Sequence, residues 1–196
     1  MQYQGALDVS VLLPFTDDED VIGTACQRLA RHLSELGLTF EILAIDEDSG
    51  DNSHAVLALL RGAIPQLQVV CAAQAGRGYA AGAAIARGRT LWLIEPQSAT
   101  RSLAAFGRAP RRIGRGELDL VVVRGRFAVS KRARGIGFIV GLWGRGPVFE
   151  KRLLRRATRR GLRTEAYEVG GTHRPGGLAH RLRGRLAIAL GAGLRL

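Results

Sequence analysis

The chain has 196 residues, 46% of them apolar and 23% charged, with a formal net charge of +12. That is enough chain for one domain with a real core, and the composition is ordinary for a globular protein. No run reaches the roughly 18 apolar residues that a membrane-spanning helix needs, and Met1 to Leu7 lacks the pattern of a signal peptide, so the reducing cytoplasm is the expected compartment. Cys26 and Cys71 show neither metal spacing nor a disulfide framework and read as two small buried core residues. The charge is unevenly placed. Residues 1–100 carry 6 Arg against 12 acids, net −6, while residues 101–196 carry 23 Lys and Arg against 5 acids, net +18. An acidic half followed by a basic half suits a partner that is itself anionic: phosphates, a membrane surface or nucleic acid. Part of the Arg excess reads as compositional bias.

Along the chain, Val9 to Leu13 is a short apolar run suited to a buried parallel strand. A helix follows from about Val21 to Leu36: Ile22, Ala25, Leu29, Leu33 and Leu36 recur at three- and four-residue steps, and Gly37 stops it. Glu41 to Ile45 is a second strand. A second helix begins near Ser53, with Val56, Leu59 and Leu60 inward, and stops at Gly62. Leu67 to Ala72 is a third strand. Gly78 to Arg87 is a third helix whose Ala and Gly side allows close packing on a sheet. Thr90 to Ile94 is a fourth strand. Repeated βα units imply right-handed crossovers and a largely parallel sheet. Beyond Ser98 the sequence predicts a short helix from Leu103 to Arg108, a basic loop and a strong strand from Leu118 to Val123. A basic, Gly-rich stretch from Arg124 to Gly146 is interrupted by apolar residues Ile136 to Trp143. A helix from Phe149 to Arg160 turns Phe149, Leu153, Leu154 and Ala157 inward, and Arg163 to Val169 is a last strand. Leu178 to Leu196 alternates Arg with Leu, Ala and Ile. There is no internal repeat.

Carboxylates fall just past strand C-termini: Asp17, Asp18, Glu19 and Asp20 after the first, Asp46, Asp48 and Asp51 after the second, Glu95 after the fourth. In an open α/β sheet this edge takes the ligand. The plainer role is helix capping, which suits acids in a first turn. Capping accounts for two of the first four and for Asp51, which opens Asp51-Asn52-Ser53; Asp48 is equally a turn residue. Pro14 and Phe15 sit where they can shape a pocket wall. In Gly76-Arg77-Gly78 the glycines let backbone N–H groups approach a phosphate at a helix start and Arg77 adds charge, though a simple strand-to-helix turn explains the motif equally well. Arg124, Arg126, Lys131 and Arg132 are candidates to grip a pyrophosphate or lipid phosphate, because Arg makes bidentate phosphate contacts; singly, each also reads as a solvated surface charge. His32, His54, His173 and His180 have no metal or triad spacing and read as structural or exposed.

Taken together these motifs resemble the family 2 glycosyltransferases, especially the polyprenyl-phosphate sugar transferases of the dolichyl-phosphate-mannose synthase type. Those begin with a strand ending Pro-x-Tyr-Asn-Glu, matched in altered form by Pro14 and the acids after it. A strand ending Val-Asp-Asp-Gly-Ser-x-Asp follows, matched by Asp46-Glu47-Asp48-Ser49-Gly50-Asp51. The metal-binding Asp-x-Asp reads Glu95-Pro96-Gln97 here. Asp119 to Phe127 is similar to the family's Asp-Val-Val-x-Gly-Ser-Arg-Tyr, and Phe149 to Gly161 to its Phe-Asp-x-Glu-Leu-Leu helix. Glu165 to Val169 is similar to its Glu-x-Pro-Val strand, and His173 to Gly177 to its Arg-x-x-Gly turn. The matches run in order from Val9 to about Gly177. Three departures stand out: Gln97 replaces the metal-binding Asp, Arg152 replaces the second acid of Phe-Asp-x-Glu, and the Asp-x-x-x-Gly-Phe-Lys acceptor segment has no counterpart between Arg126 and Phe149.

The resemblance implies an α/β three-layer sandwich with a mostly parallel central sheet, of the nucleotide-diphospho-sugar transferase (GT-A) type. It implies a domain over residues 1–177 and a basic amphipathic tail over 178–196. It implies transfer of a sugar from a nucleotide-diphosphate sugar to a lipid-phosphate or other acceptor. Asp46 then places the nucleoside, with Asp17 or Asp18 in the same pocket beside Pro14 and Phe15, and Asp48 in the adjoining turn. Arg77, Arg126 and Arg132 oppose the diphosphate charge. Glu95, beside Gln97, contacts the ribose or holds Mg²⁺ or Mn²⁺ in part; one Glu beside a neutral Gln makes that ion weakly bound or absent. Glu150 is the acid nearest the acceptor side and the candidate general base. The alternative is a catalytically inactive relative that binds a nucleotide or a partner protein. A nucleic-acid module ranks last, since no aromatic residues interleave the basic ones. The tail suits either an anionic membrane surface or docking back onto the domain.

Overall fold

The computed structural model describes residues 7–100, 103, 109–123, 126–130, 133, 144 and 146–167. Arg124, Lys131, Arg132, the apolar stretch Ile136 to Trp143, His173 to Gly177 and the tail from Leu178 lie outside the described residues. So does all of the predicted Leu103 to Arg108 helix except Leu103, which is buried.

The strands are β1 (Val9–Phe15), β2 (Phe40–Asp46), β3 (Leu67–Cys71), β4 (Thr90–Ile94), β5 (Leu120–Val123), β6 (Arg126–Ser130) and β7 (Thr164–Tyr167). The helices are α1 (Glu19–Glu35), α2 (Ser53–Leu60), α3 (Gly78–Ile85), α4 (Pro96–Ala99), α5 (Ala109–Gly114) and α6 (Gly146–Arg159). The strands form one sheet in the order β3-β2-β1-β4-β6-β5-β7. Neighbours are parallel except β6, which runs antiparallel to both β4 and β5.

Period-2 alternation divides the core into two layers. Val9, Val11, Leu13 and Phe15 of β1 pack with Ile22, Ala25, Leu29 and Leu33 of α1, Leu57 of α2 and Ile113 of α5. On the opposite face Leu12, Leu43 and Ile45 pack with Tyr79 and Ala83 of α3 and with Phe149, Leu153 and Ala157 of α6. Helices thus cover both faces, as a sheet buried on two sides requires.

Three expectations are revised. The strand β6 falls in a stretch read as basic and Gly-rich; all five of its residues are buried between β4 and β5. Helix α2 buries Leu57, while Leu59 is 85% exposed. Cys71 is exposed at the end of β3, and only Cys26 is a core thiol.

Candidate functional site

The register places the site. Phe15 of β1 pairs with Asp46 of β2, and Asp46 pairs with Cys71 of β3. On the other side of β1, Leu12 pairs with Leu93, so Glu95 lies just past the same edge. Chain order reverses at β1: β2 and β3 extend to one side of it and β4 to the other. Such a switch point leaves a crevice at the strands' carboxyl ends. Pro14, Phe15, Asp17, Asp18, Asp46, Asp48, Glu95 and Gln97 all belong to this edge.

Their individual settings differ. Asp46 is 8% exposed. Its Oδ1 accepts the Ser49 hydroxyl at 2.6 Å and the Ser49 N–H at 3.0 Å, and its Oδ2 lies 2.7 Å from His54 Nε2. Burial pushes the Asp46 carboxyl up, but the hydrogen bonds from Ser49 and His54 outweigh it and hold the group below the usual carboxylate range. The His54 ring stands edge-on to Phe15, with centroids 5.9 Å apart. Asp18 is buried; one carboxylate oxygen accepts the Thr16 N–H at 3.2 Å and the other accepts the Gln97 amide. Asp17 is exposed and accepts the Gly50 N–H at 2.7 Å, which knits the loop after β1 to the loop after β2. Both Asp17 and Asp48 have positive φ, 51° and 73°, a conformation that Asp tolerates better than most residues.

Asp51 holds a helix start as expected, while the N-cap residues Asp18 and Asn52 make no side-chain cap bond. The two carboxylate oxygens of Asp51 accept the N–H groups of Ser53 and Glu19, at 3.0 and 2.9 Å, and Glu19 Oε2 accepts the Asn52 N–H at 2.8 Å. Glu19 and Asp20 occupy the first turn of α1.

The start of α3 is more enclosed than a phosphate cradle. The Gly78 N–H donates to Glu47 Oε1 at 2.6 Å. A Cβ on Gly78 would stand 2.6 Å from Pro14 Cβ and 2.8 Å from that same oxygen, so close packing is one reason for the glycine. Arg77 is the residue preceding this helix and is half-buried.

At the end of β4, Glu95 Oε1 accepts the Gly146 N–H at 2.7 Å and so ties the start of α6 to this edge. Glu150 follows in the next turn of α6, beside the buried Phe149, which packs against Tyr79 and Phe127. Arg126 pairs with Ile94 across β4 and β6 and is 1% exposed. It is a buried cation at the same end of the sheet, where a charge persists only with partners. Glu95 offers one carboxylate, already hydrogen-bonded, and the Gln97 amide is engaged with Asp18. These residues do not make a two-carboxylate site for a hard cation.

Two residues were missed on sequence. His54 is exposed as expected and Cys71 is exposed rather than core; one ligand atom from each of Asp46, His54 and Cys71 lies within 4.8 Å of the others. Only strand pairing joins residue 46 to residue 71, so no sequence spacing announced the group.

No protein-family model matches the sequence, and no curated protein sequence matches it. Solved structures do. Glucosyl-3-phosphoglycerate synthase from M. tuberculosis superposes with a TM-score of 0.63 at 18% identity, over 97% of this chain and 82% of that one. The mannosyltransferase PcManGT from Pyrobaculum calidifontis, in complex with GDP-Man and Mn²⁺, gives 0.61 at 11% identity, over 98% and 67%. TarS from S. aureus gives 0.60 at 10% identity over 83% of this chain; the chain spans 58% of that structure's length. The mycobacterial enzyme is also known with Mn²⁺, UDP and glucosyl-3-phosphoglycerate bound. The fold is that of the GT-A type nucleotide-diphospho-sugar transferases.

Proposed function

We propose that this protein binds a nucleotide-diphosphate sugar in the crevice at the carboxyl ends of β1, β2 and β4 and transfers the sugar to a phosphorylated acceptor, a lipid phosphate being the expected class. One observation carries the reading: the separate acidic motifs around Asp17, Asp46 and Glu95 meet at one edge, at the switch point of a GT-A type sheet. Asp46 is the nucleoside contact. Its carboxylate is held ionised by Ser49 and His54, which makes it a strong acceptor for a ring N–H of the base, with Phe15 close by as a pocket wall. Arg77 and Arg126 supply positive charge toward the diphosphate. Glu95 and Gln97 have protein partners of their own, so a Mg²⁺ or Mn²⁺ ion held at Glu95 is weakly bound. Glu150, one helical turn beyond the Gly146 N–H that Glu95 accepts, is the candidate base for a hydroxyl acceptor; an anionic phosphate acceptor needs none.

Thermal melts of the full chain with a panel of nucleoside diphosphates and nucleotide sugars test the reading. A ligand specific for the folded state at 100 times its Kd adds about 2.7 kcal/mol of apparent stability. At least one nucleotide should raise the Tm of the native chain, and Asp46→Asn should abolish the shift. If no nucleotide moves the melt, the reading fails. If one does but no sugar reaches a phosphorylated acceptor, the protein is a nucleotide-binding module.

A further inference from the structure

We propose that Asp46, His54 and Cys71 form a binding site for a borderline-soft divalent transition metal of the Zn²⁺ class, separate from Glu95 and Gln97 after β4. The site shares Asp46 with the nucleoside reading but does not rest on it, because its chemistry is complete without a nucleotide.

The three donors arrive from three elements. Asp46 ends β2, Cys71 ends β3 one rung across in register, and His54 is the second residue of α2. Their ligand atoms lie within 4.8 Å of one another. A tetrahedral metal bound at about 2.0–2.3 Å by O, N and S separates its ligands by roughly 3.3–3.8 Å. Metal binding therefore closes the widest pair by up to about 1.3 Å and opens the Asp46 Oδ2–His54 Nε2 pair, now 2.7 Å apart, by roughly 0.6 Å; His54 and Cys71 are exposed side chains that can make both moves. The donor set is selective: thiolate and imidazole favour Zn²⁺, Co²⁺ or Ni²⁺ over Mg²⁺ and Mn²⁺.

The surroundings are those of a built ligand set. Ser49 holds Asp46 Oδ1 with both its hydroxyl and its N–H, which leaves Oδ2 directed at His54 Nε2, 2.7 Å away. Outer partners that fix a ligating carboxylate in this way tune metal sites. Phe15 stands against the imidazole ring. The ion takes the imidazole in its neutral form and the sulfur as thiolate, as transition-metal ligands require. Three protein ligands leave a fourth position toward solvent, open to water or to an anionic ligand.

Cobalt titration of the full chain, without nucleotide, is the test. The expected result is one ion per chain with a thiolate-to-cobalt charge-transfer band and d–d bands of tetrahedral intensity. Cys71→Ser should remove the charge-transfer band, and Ser49→Ala should weaken binding by about tenfold. Zn²⁺ should displace the cobalt and protect Cys71 from alkylation. Cys71 is exposed, so Cys71→Ser should melt as the native chain does, and a lost band then reports the ligand rather than the fold. A native chain without a thiolate band, or one whose band survives in Cys71→Ser, overturns the site. Nucleotide-induced melting shifts are a separate readout, so either reading can fail alone.

Discussion

Asp46 and Asp48 show how two neighbouring acids divide into different tasks. Asp46 is buried and anchored by Ser49 and His54, whereas Asp48 is exposed at a φ of 73°. If Asp48 only shapes the turn, Asp48→Gly relieves the left-handed backbone and gains up to about 1 kcal/mol. A variant that gains stability but loses the nucleotide shift would assign Asp48 to the site, and denaturant melts with and without ligand read both quantities. His32 of α1 carries a pH dependence. Its ring lies against Trp92, with centroids 6.3 Å apart, and its Nε2 is buried without a hydrogen-bond partner among the described residues. Burial lowers its pKa below the ordinary value, with Glu35 pulling the other way. The unfolded chain therefore takes up this proton first as pH falls. Stability is present above about pH 6.5 and is lost below it. Between pH 7.5 and pH 5.5 the native chain should lose more Tm than His32→Phe; equal losses would remove His32 from the account.

Among the elements, α3 is the one whose placement depends most on a single glycine. Its first residue, Gly78, touches Pro14 at the end of β1 and donates to Glu47 just past β2. Its fifth, Gly82, lies under Ile45 and Leu12, where a Cβ would stand 2.9 and 3.0 Å from their methyl groups. Those methyls are the ends of flexible side chains, but Pro14 Cβ is not. Gly78→Ala should therefore cost about 1–3 kcal/mol as an overpacking substitution and shift the strand-end loops that carry the site. A chemical-denaturation midpoint unchanged in Gly78→Ala would show that α3 can retreat without cost. Helix α6 is legible by contrast: Phe149, Leu153 and Ala157 at helical spacing were read as its inner face, and they are buried in it. Helix α2 departs from expectation at one position: Val56 and Leu60 pack partly buried against the core as expected, but the fully buried residue between them is Leu57, not Leu59. The docking of α2 against α1 selects Leu57 and leaves Leu59 outside.

At the scale of the whole molecule, the −6 to +18 charge division of the sequence predicts attraction to anionic surfaces. Each basic residue near an anionic bilayer contributes about 1 kcal/mol, screened beyond roughly 8 Å at physiological salt. The full chain should co-sediment with anionic but not neutral vesicles, and less so as salt rises. A chain ending at Gly177 should bind more weakly, and equal binding would move the contact to the basic residues before it. No helix among the described residues is long and apolar enough to cross a membrane. Local pattern alone determined the βα alternation through β4, the inner faces of α1 and α6, and the acids at strand ends. These follow from periodicity and capping, which act over a few residues. Only the tertiary structure decided the strand order, the antiparallel insertion of β6, the hydrogen bonds that engage Glu47, Glu95 and Gln97, and the meeting of Asp46 with His54 and Cys71. Each of these depends on which strands become neighbours. That choice is made by burying both faces of the sheet at once, and no short stretch of sequence records it.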